Sequence, residues 1–503
     1  MYKFSAGRNR VPALCALAAL LVGASSAQAI DLIAIGTLSN TTDLSGLTYT
    51  LENGNAANIL GGMGSGLAYA GGNTFVAIPD RGPNAVTYTN SSYVNDTTSY
   101  IARFHEVEMN LSATPSGGLP YTLTPTLAAT TLLYSATPLA YGTGSFNSGA
   151  VNLGNGAPSI NDSTHYYFTG RSDNYTSGSS LNSSDARLDP EGVRVSRDGR
   201  SVFISDEYGP YVYQFNRATG ERINTYTLPS QFGISNLSPV GATEISGNTS
   251  GRVTNKGMEG LAISPDGSTL IGFMQSPLAQ DGGDGGRYNR IVTINVATGA
   301  TQQYVYDNYI TTDPTGGATL NKTYNSSEIV AINDHEFLVL ERDGKGLGDG
   351  SSAVVKKVFK IDLSGATALP QGSDGNSTVS GAAGLATYAV SKTQFLDLKA
   401  ALTSFGISVT NIPSKLEGLA FGADVVINGV TEHTLWVSND NDFIPNTTAN
   451  PAGPNKFYVF AFTSAEAPAF AAQELPAVPV PAAGWLLISG VGALAAAARR
   501  KRA

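Results

Sequence analysis

The chain has 503 residues, with 30 lysines and arginines against 39 aspartates and glutamates, a formal net charge of −9 and a single cysteine. That acidic balance leaves no electrostatic footprint for nucleic acid and favours divalent cations, and a chain this long can bury a core without disulfide staples. Only 14% of the residues are charged while glycine alone contributes 57, a composition of many tight turns in an all-β protein rather than of disorder.

Residues 1–29 have the form of a secretory signal peptide. Lys3, Arg8 and Arg10 supply a basic start, Val11 to Ala24 a short apolar core, and Ala27-Gln28-Ala29 a small-residue cleavage site. The apolar core is short for a membrane span, which sets the alternative of an anchor behind cleavage. Cys15 lies inside this segment and reads as an apolar filler, so the mature chain carries no disulfide, as a large domain in an oxidising compartment can. Asp31 to Leu38 then reads as a strand with no hairpin partner nearby. Ile33 to Leu38 is expected to pair with the last structural unit of the chain, protecting both edges.

A repeating grammar follows. Its clearest copy is Asp189 to Asn216, where Glu191-Gly192-Val193 opens a strand, Asp198-Gly199 turns it, and Ser201 to Ser205 returns. Asp-Gly between β-branched or aromatic runs is a hairpin signal, because these residues tolerate the positive φ such turns need. Tyr211 to Phe215 and Glu221 to Leu228 supply a third and a fourth strand, completing one propeller blade. Other copies start at Met258-Glu259-Gly260, at Glu328-Ile329, at Glu417-Gly418-Leu419 and, with serine in place of glutamate, at Ser65-Gly66-Leu67. The starts fall at 65, 191, 259, 328 and 417, and the interval of 126 residues is close to two blades. The spacing therefore predicts an all-β, six-bladed propeller over residues 30–465, with a degenerate blade between about 130 and 188 around Tyr166 to Thr169, and closed by the N-terminal strand. Lys392 to Phe405 is expected to form a short amphipathic helix before the last blade, and residues 466–481 an Ala/Pro linker.

Glutamates at the repeat starts, Glu191, Glu259, Glu328 and Glu417, should converge on the central channel. Like charges at short range are costly, and a bound cation relieves them; calcium, with its six to eight oxygen ligands, suits such a place. The alternative is that each glutamate staples the backbone of the neighbouring blade. A second group follows the second strands: Asp80-Arg81, Asp206-Glu207, Glu341-Arg342-Asp343 and Asn439 to Asp442. Loops after equivalent strands emerge on one face, so these should gather at one mouth. Arginine there suits phosphate, with carboxylates able to hold a metal, unless the pairs only shape the loops. The four histidines are scattered without a zinc pattern, and no G-x-S-x-G elbow or phosphate-binding P-loop is present.

These elements in this order resemble the phytase-like family described as having esterase-like activity of phytase. The resemblance rests on Asp80-Arg81-Gly82-Pro83-Asn84, Asp189-Pro190-Glu191-Gly192, Asp206-Glu207-Tyr208-Gly209-Pro210, Gly257 to Leu261, Glu341-Arg342-Asp343, Glu417-Gly418-Leu419 and Asn439 to Phe443. Met274-Gln275 departs from the pattern by lacking a carboxylate after the second strand. The resemblance implies an exported, calcium-dependent hydrolase of a phosphorylated small molecule. Arg81, Arg342, Glu207 and Asp343 would be catalytic, and Glu191, Glu259, Glu328, Glu417, Asp80, Asp206, Asp440 and Asp442 would be metal ligands. The competing expectation is a non-catalytic ligand-binding or matrix propeller displayed at the cell surface.

The C-terminus carries a second address. Val478-Pro479-Val480-Pro481 precedes an apolar run, Ala482 to Ala498, closed by Arg499-Arg500-Lys501-Arg502. It resembles a PEP-CTERM sorting tail of the VPLPA kind, which implies transient retention in the inner membrane and processing by an exosortase-type enzyme. A permanent anchor is the alternative. Without the signal and this tail, 23 basic residues face 39 acidic ones, a balance of −16.

Overall fold

A computed structural model describes residues 30–84, 97–141, 157–171, 178–238, 241–308, 325–443, 453–473 and 475–476. The signal peptide, Cys15 and the C-terminal sorting tail lie outside these residues. Among the described residues no helix is long and apolar enough to cross a membrane.

Five sheets of four or five strands account for the repeats. The chain begins with β1 (Asp31–Leu38) and then builds blade 1 from β2 (Gly66–Tyr69), β3 (Thr74–Ile78), β4 (Arg103–Ser112) and β5 (Thr122–Leu132). A two-stranded ribbon follows, β6 (Tyr134–Ser135) with β7 (Tyr166–Tyr167). Blade 2 comprises β8 (Pro190–Val195), β9 (Ser201–Asp206), β10 (Tyr211–Asn216) and β11 (Arg222–Thr227). Blade 3 comprises β12 (Met258–Ile263), β13 (Thr269–Met274), β14 (Tyr288–Asn295) and β15 (Thr301–Asp307). Blade 4 starts with β16 (Asn325–Ala331), β17 (Glu336–Arg342) and β18 (Lys356–Asp362). The chain next lays β19 (Ala389–Val390) parallel to β15 before β20 (Lys392–Asp397) completes blade 4. Blade 5 is β21 (Leu416–Ile427), β22 (Val430–Asn439) and β23 (Asn455–Phe462). β1 pairs antiparallel with β23, Ile35 opposite Tyr458, on the outer edge of the sheet that carries Trp436.

The inner strands explain why the ring has five blades here and not the expected six. β2 packs on β8, β8 on β12, β12 on β16, β16 on β21, and β21 back on β2, so the cycle is complete. Glycine at the repeat start makes this approach possible. A side chain on Gly192 would begin 2.6 Å from Leu261 Cβ, and one on Gly418 would begin 2.9 Å from Leu67 Cβ. The long interval after blade 1 holds a pad instead of a blade: β6 and β7 pair over two residues each, while Leu133, Leu139, Phe168, Ala186 and Leu188 fill the core between blades 1 and 2.

Two further expectations change. Lys392 to Phe405 is half strand: β20 completes blade 4, and only Leu398–Ser404 is helical, capped by the Asp397 side chain accepting from the Ala400 N–H at 2.9 Å. The segment read as a linker packs on the propeller over 467–473, with Ala467 buried and Phe470 set against Phe421 and Phe462.

Candidate metal and phosphate site

All five inner strands run in the same direction, so their starts, and the ends of the strands that pair with them, meet at one face of the ring. Pro190 lies opposite Asp206, Met258 opposite Met274, Asn325 opposite Arg342, and Leu416 opposite Asn439. In each of these four blades the register shifts at the glutamate, between Pro190 and Val193, Met258 and Gly260, Ser326 and Glu328, and Leu416 and Leu419. The β2–β3 pair, which carries serine at that place, shows no shift. A bulge adds one residue and re-aims a side chain, here at the four glutamates.

Asp189, Glu191 and Glu207 bring carboxylate oxygens within 4.8 Å of one another, all three buried. Asp189 accepts from the Arg81 backbone N–H at 3.0 Å and from Arg81 Nη1 at 2.9 Å. Glu207 accepts from the Gly257 N–H at 3.1 Å and lies 4.0 Å from Arg81. The Glu191 carboxylate accepts no hydrogen bond from any described residue. Burial, then the charges of Glu259, Asp189, Glu207 and Glu417, push Glu191 well above the usual carboxylate range. Burial raises Glu207 likewise, with Asp189 and Glu259 adding to it and Arg81 opposing.

Asp80, Asp440 and Asp442 form a second trio within the same 4.8 Å limit. Lys415, which the sequence did not single out, sits on it. Its Nζ donates to Asp440 at 2.7 Å and also pairs with Asp442. Burial still lifts Asp440 to about 7, since Asp442 and Glu417 offset part of the lysine's effect. Asp442 and Phe443 adopt left-handed conformations, φ 51° and 53°, costly for residues with a Cβ. The turn is held by the Asp442 N–H donating to Asp440 at 2.7 Å, and by Phe443 packed against Gly61, Gly62 and Tyr100.

Between the trios stand Glu259, Glu417 and Arg342. Arg342 pairs with Glu417 and lies 3.7 Å from Glu259. Gln275, at the place where the sequence lacks a carboxylate, donates to Glu259 at 2.7 Å. Glu259 is nonetheless pushed up to about 8, first by burial and then by Glu417. Arg81 and Arg342 each keep a buried Nε–H with no partner among the described residues.

Three predicted site residues are committed elsewhere. Glu328 accepts from the N–H groups of Leu261 and Ile329 at 3.0 and 2.9 Å and forms an ion pair with Arg194 at 3.1 Å, the stapling arrangement. Asp343 accepts from the Val354 and Val355 N–H groups at 2.7 and 2.9 Å and from Lys356 Nζ at 2.7 Å. Asp206 caps its own turn, accepting from the Asp189 and Tyr208 N–H groups at 3.1 and 3.0 Å. Neither trio includes any of the three.

Residues 58–443 match the family profile described as Phytase-like: Esterase-like activity of phytase. A closed ring of β-sheet blades with arginine and carboxylate side chains at one mouth thus carries that family's signature over most of its length, and the chain belongs to this phytase-like family. An uncharacterized secreted protein of Arthroderma benhamiae is 34% identical over 180 residues; the match spans 31% of this chain and about a third (34%) of that relative's length. Solved structures are far more remote. The PQQ-bound aldose sugar dehydrogenase of Streptomyces coelicolor aligns over 86% of this chain and 96% of its own at 11% identity, TM-score 0.30. The calcium-binding protein regucalcin of Agrobacterium tumefaciens aligns over 89% and 99% at 10% identity, TM-score 0.29.

Proposed function

We propose that this protein is an exported, calcium-dependent phosphoester hydrolase whose reaction centre is the acidic mouth. The observation that carries the reading is the unpartnered Glu191 carboxylate, buried between Asp189 and Glu207 and beside an arginine with a free Nε–H. Three buried carboxylates with one arginine are an under-compensated charge, and oxygen donors of this kind suit calcium. Asp189, Glu191 and Glu207 would hold it. When bound, calcium supplies positive charge that polarises a phosphoryl oxygen.

The chain's own groups account for the rest. Arg81, locked by two hydrogen bonds to Asp189, is pre-organised to take phosphate oxygens through its remaining donors, and Arg342 serves the opposite side. Glu259 holds at neutral pH the proton that a leaving alkoxide takes up. The same reading takes β1 as the strand that closes the ring, so removing residues 30–40 leaves β23 an open edge and promotes aggregation. It extends to delivery: export by the signal peptide, transient anchoring by residues 482–503, and processing by an exosortase-type enzyme.

The chain from residue 30 onward, assayed on phytate and on an aryl phosphate, should release phosphate with calcium and stop with chelator. Absence of turnover under every divalent metal tried would overturn the hydrolase reading.

A further inference from the structure

The channel has a second end, where the inner strands finish. There the chain makes a late crossing. After β23, Phe470 packs on Phe421 and His433 of blade 5, with ring centroids 4.8 and 4.4 Å apart. The Ala471 N–H donates to Ile332 O at 2.8 Å, and Asn333 Nδ2 donates to Ala469 O at 3.1 Å, both at the far end of blade 4. Gln473 Nε2 then reaches Val195 O of blade 2 at 3.1 Å. Leu475 joins the core between blades 1 and 2, its Cβ 3.7 Å from where a side chain on Gly71 would begin. Ile263 and Pro265 of blade 3 line the same cavity as Ala471 and Gln473, so the crossing spans the end of the ring.

Arg194 forms the inner wall of that cavity. Its Nη1 donates to Leu67 O at 2.7 Å and its Nη2 to Ile329 O at 2.7 Å, tying three inner strands together across the axis. We propose that residues 467–473, with Leu475 and Pro476, are a strap that seals the channel opposite the acidic mouth, making it a blind well with one entrance. Ions and substrates enter and leave at the mouth alone.

The strap is anchored by one aromatic cluster, one backbone and two side-chain hydrogen bonds and the Leu475 contact, so it can be opened without touching the blades. Ala331 is buried under it, and no native cysteine follows residue 15, so Ala331→Cys in the chain from residue 30 onward is a clean reporter. Its reaction with a small thiol reagent should be at least tenfold slower than in the same variant carrying Leu475→Asp and Phe470→Ala. Equal rates would overturn the proposal. Should the opened variant not fold, hydrogen exchange on the unsubstituted chain decides. The amide of Ala471, an exposed residue, should be protected by its bond to Ile332, and exchange at the rate of a free amide would overturn the strap.

Discussion

The two acidic trios lie at one mouth, are built from the same repeat and hold three carboxylates each, yet their charge is met in different ways. Asp80, Asp440 and Asp442 have a lysine on them: Lys415 pairs with two of the three. Among the described residues, Arg81 is the one cation paired with Asp189, Glu191 and Glu207; it is spent on Asp189 and stands 4.0 Å from Glu207, and Glu191 has no ion pair. Clustering of acids is therefore not what distinguishes a metal site. On the proposed reading the distinction is whether the chain supplies its own cation, as the Lys415 ammonium does in the first trio.

Glu328 sharpens the rule, since it is fully buried and its Oε1 is met by Arg194 and two backbone N–H groups, while its Oε2 has no partner among the described residues. Glu328→Gln strands a buried guanidinium and should cost about 3–5 kcal/mol in denaturant unfolding, equally with calcium and with chelator. A loss that appears only with calcium present would place Glu328 among the ligands instead.

The pH dependence comes next in size. Carboxylates in the folded protein are raised, Glu259 to about 8 and Asp440 and Glu328 to about 7, against an ordinary value near 4. Between those limits the folded state binds more protons than the unfolded one, so stability is fully present on the acid side and is lost as pH rises through the window. Chelated protein should lose on the order of 1 kcal/mol per pH unit for each of these groups between pH 5 and that group's raised value. Calcium should flatten the slope by keeping its carboxylates ionised. A calcium-free protein that grows more stable over this range contradicts the charge assignment.

The smallest effect is the most discriminating. Lys415→Met removes a part-exposed built-in cation from a trio in which only Asp442 is exposed, and should cost about 1 kcal/mol in the apo protein, recovered by calcium as a second ion binds. Calorimetric titration should then show one more calcium per chain than the unsubstituted protein. An unchanged stoichiometry would mean that the lysine does not stand in for a metal.

Much of this was legible in the sequence, because it is encoded locally. Asp-Gly turns appear where Asp198-Gly199 and Asp266-Gly267 stand, with φ of 72° and 74° at the two glycines. Glu-Gly starts mark three of the five inner strands, where the glycine lets the neighbouring blade approach closely. What escaped depends on partners far along the chain. Asp343 is consumed by N–H groups and a lysine eleven to thirteen residues later, Glu328 by Arg194, and the strap meets blades that begin hundreds of residues earlier. Blade count failed for the same reason, since a long interval can hold a pad as readily as a sheet. Lys415 left one trace: it stands two residues before Glu417 in an extended stretch, where alternate side chains share a face.

The most direct test of the account is the melting curve of the chain from residue 30 onward at pH 7.5, in free calcium and in chelator, beside that of Glu191→Gln. At a hundredfold excess over Kd, calcium should stabilise the unsubstituted protein by about 2.7 kcal/mol. Glu191→Gln should lose most of that response while its chelated form melts no lower than the unsubstituted one, since burial and the neighbouring carboxylates already disfavour the ionised form that the amide replaces. An unsubstituted protein whose curve does not move when calcium is chelated would contradict the claim that the Asp189–Glu191–Glu207 trio awaits a cation.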